Sequence, residues 1–166
     1  MKMVLPPFSK GNITFKMLLA RDLPLTLTWR NNPEVRKWFK NSEKIKPQDH
    51  LEWFNNYSKK TDDYVFLAEV NNKTVGQLAI YNININTKSA EVGRFIASPE
   101  TKGTGIMKRV MHEFIHSIFM EFSLNELQLY VYDNNEVAIN IYKDIGFEVV
   151  NNDRGLIFMR LLRFAE

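Results

Sequence analysis

The chain contains no cysteine. Disulfides, thiolate metal sites and a cysteine nucleophile are thereby excluded, which suits a reducing compartment. No apolar run approaches the roughly 20 residues that a bilayer-spanning helix needs. The short apolar stretch within residues 1–10 is broken by Pro6-Pro7 and makes a poor signal peptide. A cytoplasmic location without membrane contact is expected. There is no internal repeat, low-complexity tract or linker, and 166 residues suit one domain spanning 1–166. The dense basic stripe of a nucleic-acid binder is also missing. What remains is a mild basic excess, net charge +3 with a pI of about 9.0. It reads either as an ordinary solvated surface or as suited to an anionic small molecule. Apolar content of 45% and charged content of 25% are ordinary for a soluble globular protein.

Alternation predicts a strand over residues 12–18. Asp22 is placed to cap a helix running to Arg30, with Pro24 tolerated in its first turn. Asn31-Asn32-Pro33 breaks that helix, and residues 34–39 form a short one. Pro47 opens another helix, to about Lys60, on which His50, Trp53, Phe54 and Tyr57 fall on one face. Strands are predicted over 64–70, 74–80 and 89–97, a long helix over 103–122 and a strand over 127–132. A helix over 135–145 ends at Gly146, and strands over 147–150 and 156–162 follow. This order gives a mixed α/β fold whose front half is antiparallel. The strand–helix–strand unit from Val92 to Tyr132 implies a parallel pair joined by a crossover. The strand over 156–162 is expected at a sheet edge, where it can pair across a homodimer.

The central feature is a strand, then Gly103-Thr104-Gly105, then a long amphipathic helix. Glycine permits a tight turn and close approach of backbone N–H groups to a ligand. A helix N-terminus adds unpaired donors and the positive end of a dipole. Together with Lys102 they suit a diphosphate, although a turn of this kind also occurs without any ligand. The six-residue glycine spacing of a dinucleotide fingerprint is absent, as is the Gly-Lys-Ser/Thr of a P-loop, so NAD and ATP are disfavoured.

On the same helix, His112-Glu113-Phe114-Ile115-His116 matches the H-E-x-x-H zinc-protease pattern. Helical geometry puts Ile106, Met107, Val110, Met111, Phe114, Ile115, Ile118, Phe119 and Phe122 on one arc. His112, Glu113 and His116 lie outside it and are expected to face water. Zinc ligands need a recessed, supported position, and a third ligand would have to be His50 or a carboxylate. No metal is expected.

The second half carries a more specific pattern. A strand ending near Tyr132 is followed by Asn135, Ala138, Tyr142, Gly146 and Phe147, with Ala138, Ile141 and Ile145 as the core stripe. This run, with Gly103-x-Gly105 upstream, resembles the GNAT family of N-acetyltransferases over nearly the whole chain. The family's loop usually begins with Arg or Gln three residues before the first glycine. Glu100 stands there instead, which resembles the ribosomal-protein-acetyltransferase branch. The resemblance implies a GNAT fold: a central mixed, twisted sheet flanked by helices, with a V-shaped splay between the fourth and fifth strands. It also implies acetyl-CoA as cofactor. Phe95, Ile96 and Ala97 would pair with the pantetheine arm, while Lys102, Gly103, Thr104, Gly105 and Ile106 would hold the pyrophosphate. Asn135 would contact the cofactor, and Tyr142 would protonate the leaving thiolate. Glu91, at the start of the central strand, is the candidate base for the amine proton, set against its reading as an ordinary strand-end carboxylate.

The acceptor should be chosen by the N-terminal half. Arg30 and His50 suit phosphates, and Trp53 suits a nucleobase; the alternative is that Trp29, Trp53 and Phe54 are core and Arg30 is a surface charge. The Trp29-Arg30-Asn31 segment paired with the His50-x-x-Trp53-Phe54 helix resembles nucleotide-amino-sugar N-acetyltransferases of the pseudaminic acid pathway type. That resemblance would put Arg30 and His50 on the nucleotide and give a nucleotide sugar as the partner molecule. Acetylation of a protein N-terminus, a lysine or a polyamine remains the alternative within the enzyme class, although no acidic cluster marks the N-terminal helices. A GNAT-like module that holds CoA without turnover is the alternative outside it.

Overall fold

The structure is a computed structural model and describes residues 1–163. Eight strands form one sheet in the order β1-β2-β3-β4-β5-β6-β8-β7. They are β1 Phe8–Lys10, β2 Ile13–Met17, β3 Tyr64–Val70, β4 Lys73–Asn84, β5 Ser89–Ala97, β6 Glu126–Tyr132, β7 Glu148–Asp153 and β8 Leu156–Leu162. Every neighbouring pair is antiparallel except β5 and β6. Helices α1 Leu23–Arg30, α2 Pro33–Arg36 and α3 Pro47–Tyr57 separate β2 from β3. Helix α4, Ile106–Glu121, is the crossover between β5 and β6, and α5, Glu136–Ile145, follows β6. Among the described residues no helix is long and apolar enough to cross a membrane.

Local chemistry explains most boundaries. Asn71 and Asn72 both take positive φ, 51° and 65°, the requirement of a two-residue turn between twisted antiparallel strands. Asn32 caps α2 by accepting a bond from the Glu34 N–H at 3.0 Å, and Pro33 fits the first turn because it has no N–H to leave unpaired. Asp22 occupies the N-cap position of α1 but does not cap it; its carboxylate accepts from the Leu19 N–H at 2.9 Å and closes the preceding 3₁₀ turn. Gly105, not Gly103, is the residue before α4.

The sheet is buried on both faces where helices cover it. On β3, Phe66, Ala68 and Val70 meet α4, whose Val110, Met111, Phe114, Ile115, Ile118 and Phe119 are buried as the periodicity predicts. Val65 and Leu67 point the other way, to Leu23 and Trp29 of α1 and Tyr57 of α3. So α4 and α5 cover one face, and α1 to α3 cover the other. The buried stripe of α5 is Ile139, Tyr142 and Ile145, with Ala138 and Ile141 only half-buried beside it.

Three expectations need correction. A strand precedes the first predicted one: β1 pairs Phe8 with Phe15, and the Phe8 ring lies 5.1 Å from Phe15 and 5.4 Å from Phe66. The strand over 156–162 is not at an edge, because β8 lies between β6 and β7; the edge belongs to β7, exposed along its whole length. The short helix after Pro33 spans one turn rather than reaching residue 39.

Phe114 is wholly buried, with ring centroids 5.4 Å from Phe15 and 5.8 Å from Phe66. Phe114→Ala is expected to lower unfolding free energy by about 3–5 kcal/mol, read as a shift in urea midpoint at unchanged slope.

Candidate active site

The site is built around a strand pair that stops short. β5 is registered with β6 only at Ser89↔Glu126, Ala90↔Leu127 and Glu91↔Gln128. Beyond Glu91 the two parallel strands diverge, which is the expected splay between the fourth and fifth strands; they number fifth and sixth once β1 is counted. On its other side β5 stays paired with β4 through Gly76↔Ala97. The backbone of Phe95, Ile96 and Ala97 therefore borders a gap where a sheet would normally continue.

The divergence coincides with a bulge. Register runs Ala79↔Gly93 and then Gln77↔Ile96, one residue extra on β5. Arg94 takes φ of 53° there. Its carbonyl accepts from Gln77 Nε2 at 3.1 Å. Its guanidinium donates to both Asp63 oxygens, at 2.7 and 3.2 Å, and lies 4.2 Å from the Tyr81 ring centroid. A side chain at Gly93 would collide with the Tyr81 hydroxyl, so the glycine admits that phenol over β5. Sequence reasoning missed Asp63, Tyr81 and Arg94. A glycine inside a strand is a recognised mark of a bulge or close approach, and Gly93 was the available signal.

From the end of β5 the chain makes a 3₁₀ turn, Pro99–Thr101, and then the glycine loop. Gly103 and Gly105 take φ of 77° and 76°, and a Cβ on either would meet nothing within 4 Å. Backbone conformation, not crowding, demands glycine, and the space over the loop is open. Thr104 Oγ1 donates to the Thr101 carbonyl at 2.5 Å and accepts from the Ile106 N–H at 3.3 Å. Lys102 is exposed, and Glu100 is tied to Lys73. Beside the loop a cavity of about 300 Å³ lies between α4 and α5, lined by Gly105, Lys108, Arg109, His112, Asp144 and Ile145. Lys108 and Asp144 form an ion pair across it at 2.6 Å.

Tyr142 is 9% exposed. Its ring sits 5.9 Å from Phe95 and 6.1 Å from Phe147. Burial, and secondarily the nearby Tyr81 phenol, push its pKa well above the ordinary value. Tyr81 is likewise pushed up to about 12 by burial, Arg94 opposing and Glu91 adding to the rise. Both phenols are protonated at neutral pH. Asn135 is the N-cap of α5, its Oδ1 accepting from the Ala138 N–H at 3.4 Å.

Glu91 is half-buried and registered with Tyr81. Ala90 and Val92 pack under α4 and α5, so alternation turns Glu91 to the face covered by α1 to α3. There the His50, Trp53 and Tyr57 rings stack in succession, with centroids 5.3 Å apart at each step. His50 is 9% exposed, with Nε2 3.3 Å from Thr26 Oγ1. Burial, then the Arg30 charge, lower its pKa, so His50 is neutral and offers a hydrogen bond rather than a charge. Arg30 is 8% exposed and not a surface residue. Its guanidinium lies 4.0 Å from the Phe39 ring centroid, and Nη2 donates to the Asn41 carbonyl at 2.5 Å. Its Nη1 is buried with no hydrogen-bond partner among the described residues. Trp29 is core, and Trp53 is half-buried.

The zinc-like motif is dispersed in its surroundings. The His112 and His116 rings lie 4.5 Å apart on one helix. His112 is exposed as expected, at the rim of the cavity by Gly105, whereas Glu113 and His116 are half-buried rather than facing water. Among the described residues no group of three His, Asp or Glu could hold a metal.

This is the geometry of an acyltransferase cleft: an interrupted parallel pair, a left-handed glycine loop leading into a helix at its end, and a protonated phenol beside it. The sequence profile of the acetyltransferase (GNAT) domain family matches residues 12–148, and the chain belongs to that family. Among curated proteins it is similar to the acetyltransferase PseH of Campylobacter jejuni, 28% identical over 140 residues, covering 84% of this chain and 85% of the relative. It is also similar to the spermidine N(1)-acetyltransferase of Escherichia coli, 29% identical over 145 residues, covering 85% and 75%. Among solved structures, Vibrio cholerae spermidine N-acetyltransferase with CoA and spermine superposes with a TM-score of 0.81 at 22% identity, over 91% of this chain and 95% of that one. C. jejuni PseH with acetyl coenzyme A superposes with a TM-score of 0.72 at 24% identity, over 92% and 99%.

Acetyl-CoA is the acyl donor of GNAT acetyltransferases, and the residues present fit it. The loop offers helix-start donors under two left-handed glycines, β5 leaves an edge open for an extended arm, and the adjoining cavity carries Lys108 and Arg109. Gly105→Val puts a β-branched residue at φ of 76°. It is expected to weaken acetyl-CoA binding by about tenfold or more, measured by calorimetric titration against wild type.

Proposed function

We propose that this chain, as one domain, is an N-acetyltransferase whose acceptor is the amino group of a nucleotide-linked amino-dideoxy sugar. The observation that carries the acceptor is Arg30. A buried guanidinium with an unpaired N–H is expensive, and the defect is relieved when an anionic oxygen reaches it. His50, its pKa lowered by burial and by the Arg30 charge, adds a neutral hydrogen-bonding ring, and Trp53 shows a half-buried one. A phosphate-bearing, base-bearing acceptor uses all three, whereas a polycation meets Arg30 and Arg36 with like charge. The similarity to PseH supports the same choice, while the similarity to spermidine acetyltransferases makes a polyamine the competing acceptor.

In this reading Lys102, Gly103, Thr104, Gly105 and Ile106 would hold the pyrophosphate, and the open edge of Phe95, Ile96 and Ala97 would hold the pantetheine arm. Asn135, already spending its oxygen on the cap of α5, would contact the cofactor through its remaining amide group. Bound there, acetyl-CoA supplies an acetyl thioester. Glu91, on the acceptor face, accepts the proton that the attacking amine must lose, directly or through water. Tyr142, on the cofactor face and kept protonated by burial, holds at its hydroxyl the proton that the departing sulfur takes. The new C–N bond and the broken C–S bond thus lie between an acceptor of protons on one face and a donor on the other.

Two measurements test this. Calorimetric titration with acetyl-CoA, then with UDP- and dTDP-amino sugars, is expected to show saturable binding of both, with nucleotide-sugar binding lost in Arg30→Ala. Binding of spermidine in place of the sugars moves the acceptor to polyamines. Tyr142→Phe is expected to lower kcat by about 10²-fold while acetyl-CoA affinity changes by less than about threefold; equal losses in both would remove Tyr142 from the chemistry.

A further inference from the structure

Arg94 is a long, charged side chain in the left-handed region, inside a strand, at the point where the cleft opens. Such a conformation persists only where its surroundings over-determine it. Here they do. The guanidinium is forked onto Asp63, whose side chain is 4% exposed, and stacked on Tyr81. The Arg94 carbonyl is held by Gln77, itself 8% exposed. Asp63 is held in turn by Lys60 at 3.6 Å and, through its carbonyl, by Lys2.

The bulge changes the phase of β5. Before it, Ala90 and Val92 point to α4 and α5. Strict alternation would then send residue 96 to the same face and residue 95 away from it. One extra residue reverses this. Phe95 packs on the α4–α5 face against Tyr142, and Ile96 is buried on the α1–α3 face. The phase decides which backbone groups of residues 95–97 border the gap and which ring supports Tyr142.

We infer that Arg94 is a positioning residue: its clasp on Asp63 holds β5 in the shifted phase and thereby sets the berth of the acyl donor. This rests on the reading of the cleft as the acetyl-CoA site. The clasp also ties β5 to the start of β3, because Asp63 immediately precedes β3.

The test compares Arg94→Ala with Arg94→Gly by calorimetric titration with acetyl-CoA, alongside melting temperatures. Alanine loses the clasp and resists the left-handed conformation, whereas glycine loses the clasp but adopts that conformation freely. Arg94→Ala is expected to bind about tenfold more weakly than wild type, with Arg94→Gly recovering to within about threefold. Loss of packing alone would lower both melting temperatures without separating the two affinities. Where Arg94→Ala does not fold, Arg94→Lys carries the test, since it keeps the charge and loses the fork, and the same loss is expected. Wild-type binding with equal affinities in the alanine and glycine variants overturns the role of Arg94 alone. Absence of acetyl-CoA binding by wild type overturns the reading of the cleft and this inference with it.

Discussion

Three residue pairs join β5 to β6, and the rest of the molecule is arranged around there being no fourth. A sheet that opens in its middle exposes backbone N–H and C=O groups that ordinarily must be paired. Such an opening is tolerated where it is held from both sides and where something else can supply the missing partner. Here β5 is anchored along its β4 side to its last residue, and β6 is anchored to β8 over seven residue pairs. On the α4–α5 face Phe95 packs against Tyr142, ring centroids 5.9 Å apart. An extended ligand arm can complete the ladder as an added strand does.

The opening also sorts the chemistry by face. Helices α4 and α5 bring the glycine loop and Tyr142 from one side, while α1 to α3 bring Arg30, His50 and Trp53 from the other. Glu91, at the last paired position, lies where the two sides meet. In the proposed mechanism, proton acceptor and proton donor would thus be kept apart by the sheet itself. The buried charges belong to this division of labour more than to stability, because a buried ion pair repays little beyond its own desolvation. Asp63 and Arg94 gain fixed geometry: a fork, a ring stack and a strand whose phase is set.

Much of this was legible in the sequence, for physical reasons that can be named. Gly103 and Gly105 announce left-handed backbone, Asn135 announces a helix start, and the apolar arc of α4 announces its buried side. Each of these is a local requirement written in residue type. The parts that were not legible depend on partners distant in the chain. β1 is three residues long and half-exposed, too short for periodicity to register; its Phe8 finds its role only against Phe15 and Phe66. The position of β8 inside the sheet follows from hairpin order, which residue pattern does not specify. Arg94 in a left-handed conformation is invisible because arginine ordinarily avoids it, and its holders, Asp63, Gln77 and Tyr81, lie 13 to 31 residues away.

The fold itself does not choose the acceptor. Similar superpositions onto a polyamine enzyme and onto PseH show one scaffold serving both, as expected where function resides in grafted side chains. The choice falls to the few groups on the acceptor face, and there the decisive property is sign. A polyamine site needs carboxylates disposed along an open groove, because each ammonium must exchange water for an anionic oxygen. The N-terminal helices instead bury a guanidinium against Phe39 and leave one of its N–H groups unmet. A neutral histidine 3.3 Å from Thr26 Oγ1 adds a polar group without adding charge. Were the acceptor the proposed nucleotide sugar, its phosphate would meet this buried cation, and the amine would belong to the other end of the same molecule.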